Sequence, residues 1–187
     1  MAKPVLQIII ASTRPGRVGP AIARWFYDRA VQEGSFDVEL VDLASFALPV
    51  FDEPSHPAFG QYEHEHTRRW SESVARADAF VFVMPEYNHS FNAALKNALD
   101  YLYGEWRYKA VGLFSYGGAA MGIRAVQAIQ PVLVHLKMVH TSDVTASLAV
   151  TPVVDGVFEG NEILEQSARA MLFELAKVTP SLQSFRA

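Results

Sequence analysis

The 187-residue sequence predicts a three-layer α/β fold, a five-stranded parallel sheet in the order 2-1-3-4-5 with helices on both faces. Three observations lead there. Five short segments are apolar along their length, as strands covered on both faces must be. Stretches with helical period alternate with them, and right-handed crossovers leave few ways to order such strands. Polar and glycine-rich residues gather after the first, third and fourth strands, and an open α/β sheet binds ligands outside the carboxyl ends of its strands, where strand order reverses.

The elements follow in chain order. "VLQIIIA" (5–11) is the first strand. The helix after it, "PAIARWFYDRAVQEG", puts Ile22, Trp25, Phe26 and Ala30 on one face, starts at Pro20 and stops at Gly34. "DVELVDL" (37–43) is the second strand, and "ASFALPVFDEPSHPAFG" (44–60) the one long irregular stretch, which suits either a lid or a plain surface connection. "EHEHTRRWSESVARAD" stacks His66, Trp70, Val74 and Ala77. "AFVFVMP" (79–85) is the third strand, expected to end at Pro85, which holds Met84 extended. "FNAALKNALDYLYG" aligns Phe91, Leu95, Ala98, Leu99 and Leu102 as a helix, with Ser90 or Asn88 as its expected cap. "AVGLFSY" (110–116) is the fourth strand. In "AMGIRAVQAIQPVLVHL", Ile123, Val126 and Ile129 share a face, and Pro131 predicts a kink or break because it lacks a donor and crowds the Gln127 carbonyl. "KMVHTSDV" (137–144) is the fifth strand, and a closing helix over 160–178 stops before Pro180. No linker, repeat or low-complexity tract divides the chain, so residues 1–187 are read as one domain.

Composition narrows the function classes. Half the residues are hydrophobic and 19% charged, which excludes a disordered chain. A net charge of −4 without a basic block argues against nucleic acid. The absence of cysteine excludes disulfides and thiolate chemistry. "MAKPVLQIIIAS" is too short for a secretory signal and no segment reaches about 18 uninterrupted apolar residues, so a cytoplasmic protein away from membranes is expected.

Chemistry concentrates in three loops. "STRPGRVG" (12–19) leads from a strand into a helix N-terminus, where unpaired N–H groups and the dipole favour an anion. Ser12 and Thr13 add hydroxyls, Gly16 and Gly19 allow close approach, and Arg14 and Arg17 add charge, so a phosphate fits. The loop matches neither G-x-x-x-x-G-K-[ST] nor G-x-G-x-x-G. The plainer alternative is a capping serine, a turn glycine and two solvated arginines. In "SYGGAAMG" (115–122), Gly117 and Gly118 suit a flat ligand against backbone or simply a tight turn. "PEYNHS" (85–90) offers Glu86, His89 and Ser90, but neighbours on a turn cannot align as a hydrolytic triad, and no G-x-S-x-G is present. A metal site from His64 and His66 with His89 or His56 is disfavoured, since residues two apart on a helix face apart.

"STRPGRVGPAIARWF", "DAFVFVMPEYNHSFNAALKNALDYL" and "FSYGGAAMG", in that order, resemble the NADPH-dependent FMN reductase family, flavodoxin-like enzymes that include quinone, azo-dye and chromate reductases. The similarity spans roughly residues 5 to 145, with "PEYNHS…LKNALD" its most specific part, and Ala11 stands where the family often has Gly. The resemblance implies that Ser12, Arg14, Arg17, Val18 and Gly19 hold the FMN phosphate, with Arg14 or Arg17 alternatively facing a nicotinamide dinucleotide. It implies that Pro85, Glu86, Tyr87 and Asn88 border the isoalloxazine and ribityl chain, and that Ser115, Tyr116, Gly117 and Gly118 close the other edge. It also implies NADPH, or NADH, as electron donor, a small-molecule acceptor, no catalytic side chain, and a homodimer or homotetramer. Tyr101, Tyr103, Trp106 and Tyr108 suit either a subunit contact or a local core.

Overall fold

The computed structural model describes residues 2–186. Strands β1 (Val5–Ile10), β2 (Asp37–Asp42), β3 (Ala79–Tyr87), β5 (Ala110–Gly117) and β6 (Val139–Ser147) form the sheet in the order β2-β1-β3-β5-β6. All four pairings are parallel. This is the expected 2-1-3-4-5 order, with one addition: a two-residue strand, β4 (Ser90–Phe91), runs antiparallel to β3.

Strand alternation divides the core in two. Leu6, Ile8 and Ile10 of β1 pack beneath α1 (Gly19–Glu33) and α5 (Glu162–Gln183), beside Trp25, Phe26, Met171 and Leu172. Ile9 and Ala11 point to the other face, covered by α2 (Glu65–Arg76), α3 (Ala93–Asp100) and α4 (Ile123–His135) with Trp70, Leu99 and Ile129. Each fully buried Phe or Leu contributes about 1.5–3 kcal/mol, so the β1–β3–β5 centre anchors the loops at its carboxyl edge. Ile22, Trp25, Phe26 and Ala30 are the buried face of α1, and Gly34 closes that helix at φ 83°. Tyr101 and Trp106 are fully buried in the core, while Tyr103 and Tyr108 remain half-buried.

Four expectations need correction. α4 continues through Pro131 without a break. Both Pro131 and Gln127 are exposed, so the carbonyl that loses its donor can turn to water. α5 likewise passes Pro180 and ends at Gln183, held by buried Leu172, Leu175 and Thr179. β6 runs Val139–Ser147, later than expected, because its register is set by pairing through Gly117↔Ser147. His64 is the extended residue before α2, so His64 and His66 do not diverge on one helix; their rings stack at 5.1 Å and 16°.

The 44–60 stretch contains two short 3-10 turns, Leu43–Phe46 (which begins one residue earlier) and Pro57–Phe59. Its middle is fastened to α3: Asn97 Nδ2 donates to the Pro49 carbonyl at 2.6 Å, Phe51 N–H to Asn97 Oδ1 at 2.9 Å, and the Tyr101 hydroxyl to Asp52 at 2.8 Å. Among the described residues no helix is long and apolar enough to cross a membrane.

Candidate functional site

The "PEYNHS" segment is a hairpin, and Pro85 does not end the strand. β3 continues to Tyr87, turns at Asn88 (φ 49°) and His89 (φ 66°), and returns as β4 with Glu86↔Phe91 and Tyr87↔Ser90 pairs. Two consecutive positive φ values are what a type I′ turn requires, and its twist matches paired strands. Pro85 is tolerated because β1 has already ended. The Val83 carbonyl accepts from Ala11 N–H, so Pro85, two residues on, faces the same side beyond the last β1 residue and has no donor to lose there. Neither Ser90 nor Asn88 caps α3; Asn92 is the capping residue. Its side chain is turned elsewhere: buried Nδ2 donates to the Ala11 carbonyl at 2.7 Å, tying hairpin to first loop.

Glu86 ties the hairpin to the third loop. Its carboxylate, 9% exposed, accepts from the Arg124 backbone N–H and guanidinium, both at 3.1 Å. Gly122 before α4 brings no side chain of its own, so Glu86 supplies the negative charge that a helix N-terminus favours.

In the first loop Ser12 is fully buried, and among the described residues its Oγ has no hydrogen-bond partner. Val18 precedes α1 without a side-chain cap; Pro20 has no N–H and the Ala21 and Ile22 N–H groups bond to the Val18 carbonyl, so Gly19 carries the first-turn N–H open to a ligand. Gly19 closes the back of this cradle: a Cβ there would collide with Ser12 Oγ and lie 2.9 Å from the Tyr116 hydroxyl. Tyr116 is buried, which pushes its phenol up to about 12, with the neighbouring Ser12 hydroxyl pulling the other way. Arg17 is already engaged. It grips Asp42 bidentately at 2.6 and 2.5 Å and donates to the Ser12 carbonyl at 2.5 Å. The Asp42 bond raises the Arg17 pKa above its usual value. Partial burial opposes ionisation of Asp42, yet the Arg17 bonds hold its carboxyl below the usual range. Arg14 is exposed and, among the described residues, forms no ion pair.

In the third loop Ser115 is buried within β5, in register with Met84 on one side and Thr145 on the other, and its Oγ donates to the Met84 carbonyl at 3.2 Å, so its side chain is already engaged. Gly117 is packed against Gly122 and Glu86, where a Cβ would lie 3.2 and 3.3 Å from neighbouring atoms. Gly118 faces open space.

The three loops meet at one cleft of about 220 Å³, which brings Arg14, Arg17, Val18, Pro85, Glu86, Tyr87, Tyr116, Gly117 and Gly118 together with Leu148. Ser12, Gly19 and Ser115 lie buried behind it and Asn88 is on the exposed hairpin. Leu148, whose N–H donates to the Gly117 carbonyl at 2.9 Å, was not foreseen, since it follows the edge strand in an unremarked segment. Asp42 was also missed, although an acid at a strand's carboxyl end was a visible signal. The cleft, at about 220 Å³, is smaller than the ~300–1,000 Å³ of enclosing pockets, so a larger ligand would be only partly enclosed here. A buried unpaired hydroxyl beneath an uncapped helix start fits a phosphate, and the bare backbone at Gly117 and Gly118 fits the edge of a planar ring.

Residues 5–151 match the family described as NADPH-dependent FMN reductase. An NAD(P)H-dependent FMN reductase of Schizosaccharomyces pombe is 44% identical over 126 residues, 66% of this chain and 63% of that protein. A second, from Saccharomyces cerevisiae, is 38% identical over 143 residues, 70% of this chain and 74% of that one. The chain thus spans less than two thirds of the fission-yeast relative's length. In fold it is similar to FerB, a flavoenzyme NAD(P)H:(acceptor) oxidoreductase of Paracoccus denitrificans, with a TM-score of 0.73 at 20% identity over 94% of this chain and 98% of that one. With the three strand-end loops inside the matched residues, the chain belongs to the NADPH-dependent FMN reductase family.

Proposed function

We propose that this chain binds FMN at the cleft and passes a hydride from NADPH or NADH, by way of that flavin, to a small-molecule acceptor. The observation that carries the reading is the buried, unpartnered Ser12 hydroxyl beneath the uncapped start of α1, which a phosphate would satisfy. FMN, when bound, supplies a ring that accepts a hydride and returns one or two electrons. The chain's own residues then bind, orient and exclude. Ser12 and the N–H groups near Val18 and Gly19 hold the phosphate. Arg14, exposed and unpaired, adds charge there or meets the nicotinamide dinucleotide. Arg17 shapes the loop through Asp42 and the Ser12 carbonyl. Pro85, Glu86, Tyr87 and Asn88 wall one side of the ring, and Ser115, Tyr116, Gly117 and Gly118 close the other, where the bare backbone at Gly118, beyond the β5 ladder, would place a donor as negative charge grows on reduction. No side chain is required as nucleophile or base.

The acceptor is a quinone, an azo compound, a metal oxyanion or free flavin, taken on the open face after the nicotinamide leaves. We place the protein in the cytoplasm as a homodimer or homotetramer. Anaerobic stopped-flow mixing of the FMN-loaded protein with NADPH and with NADH tests the reading. Rapid bleaching of the flavin is expected. Persistent yellow colour at saturating nucleotide would leave an FMN electron carrier, and a protein that takes up no FMN would refute both.

A further inference from the structure

At the amino-terminal edge of the sheet, away from the three loops, a second cleft of about 800 Å³ opens between the end of α2, the starts of β3 and β5, and the end of α5. Its volume lies within the ~300–1,000 Å³ of small-molecule sites. The acids in it are hydrogen-bonded, although Glu105 meets only neutral donors. Asp78 accepts from Val5 N–H at 2.9 Å, Gln183 at 3.2 Å and Arg186 at 2.9 Å. Glu105 accepts from the Tyr62 hydroxyl at 2.8 Å and the Ser71 hydroxyl at 2.6 Å.

Two cations remain. Among the described residues, neither Arg107 nor Lys109 forms an ion pair with a carboxylate. Lys109 is 5% exposed, and its Nζ donates to the carbonyls of Val74 at 2.8 Å and Ala75 at 3.2 Å, leaving one of the three ammonium donors unused. Arg107 Nε is buried with no acceptor. Burial, with the Arg186 charge, outweighs the Asp78 and Glu105 carboxylates and brings the Lys109 ammonium down to about 8. Beside these donors stand two rings, Tyr108 and Phe185, 5.9 Å apart and tilted by 33°. Tyr108 has a left-handed backbone (φ 54°), uncommon for a bulky residue, and its N–H donates to the Lys137 carbonyl at 2.9 Å.

We propose that this cleft binds a small molecule carrying an oxyanion on a planar ring, the oxyanion against Arg107 Nε and the free Lys109 donor, the ring beside Tyr108 and Phe185. Carboxylate and phosphate share the chemistry the donors recognise, so benzoate, phenyl phosphate and inorganic phosphate are the probes. Each is titrated into the protein in the presence of excess FMN, with residue-resolved amide shifts read by NMR, which separates this cleft from the flavin loops. Shifts are expected at 104–109 and 183–186, with phenyl phosphate binding more tightly than inorganic phosphate. Arg107→Gln, at a half-buried position, should weaken phenyl phosphate about 10-fold, the effect of losing a charge-assisted bond, whereas Arg14→Ala should not. Phe185→Ala, at an exposed position, should bring phenyl phosphate down toward inorganic phosphate. The proposal is overturned by an absence of shifts at these residues up to ~10 mM probe, the weakest range of specific binding. It is equally overturned by unchanged affinity in Arg107→Gln, or by phenyl phosphate binding no better than inorganic phosphate.

Discussion

Replacing Ser12 by alanine separates the ligand-binding role of the first loop from its structural role, because the two respond in opposite directions. Ser12 Oγ is fully buried and, among the described residues, without a hydrogen-bond partner. An unsatisfied buried hydroxyl costs about 1–3 kcal/mol of desolvation, so removing it should leave stability unchanged or raise it. Alanine keeps the β-carbon, and the void left is one oxygen in size. With FMN bound as proposed, the same hydroxyl would donate to a charged phosphate, a bond worth about 1.5–3 kcal/mol. At about 1.4 kcal/mol per factor of ten, Ser12→Ala should therefore weaken FMN by ~10-fold to ~150-fold. Urea unfolding of the flavin-stripped variant measures the first effect, and fluorescence titration with FMN the second. An FMN affinity within about twofold of the parent would refute the phosphate assignment. A loss of more than about 1 kcal/mol in the flavin-free protein would show that the hydroxyl is already satisfied without ligand.

Other expectations follow from the same geometry. Gly19→Ala drives a methyl into Ser12 and Tyr116, neither of which can retreat to solvent, so it should destabilise by about 1–3 kcal/mol of overpacking, less the ~1 kcal/mol that alanine gains in a helix, and weaken FMN in the same titration. Asp42→Asn releases Arg17 and should flatten the acid limb of the stability curve. Because the folded Asp42 pKa is depressed, its contribution is complete above the unfolded value of about 3.9 and is lost as pH falls through the folded one, so urea midpoints of parent and variant should converge below that range. Asp78, also depressed, keeps a residual acid limb in the variant. His89→Gly relieves a left-handed histidine at φ 66° and should raise the urea midpoint by the equivalent of about 0.5–1 kcal/mol while sparing FMN binding. Glu86→Gln removes the charge that meets Arg124 and the start of α4; a loss of about 0.5–1.5 kcal/mol is expected, and no change would show that the hairpin is held by its strand pairing alone.

Local pattern was sufficient wherever a segment's burial is uniform. The apolar runs of β1, β3 and β5 could be placed because a strand covered on both faces must be apolar throughout, and the α1 boundaries because Pro20 and Gly34 impose their own backbone geometry. The polar edge strand β6 could not be placed as well, since its register belongs to its neighbour β5. Pro131 and Pro180 read as helix breakers because the chain alone does not reveal that the rest of each helix is held by packing. The Asn88–His89 turn was hidden for a related reason: Asn and His are only enriched among left-handed residues, a weaker local signal than glycine, and the pairing of Glu86 with Phe91 and of Tyr87 with Ser90 holds them there. By itself the sequence determined the layer order and which three loops share an edge, because both follow from hydrophobic periodicity and the handedness of crossovers. Only the tertiary structure decided what each polar side chain in those loops is free to do. Arg17 is bound to Asp42, Glu86 to Arg124 and Ser115 to Met84, while Ser12, between β1 and α1, is left buried without a partner among the described residues, since hydrogen bonds are allotted by proximity in space between residues far apart in the chain.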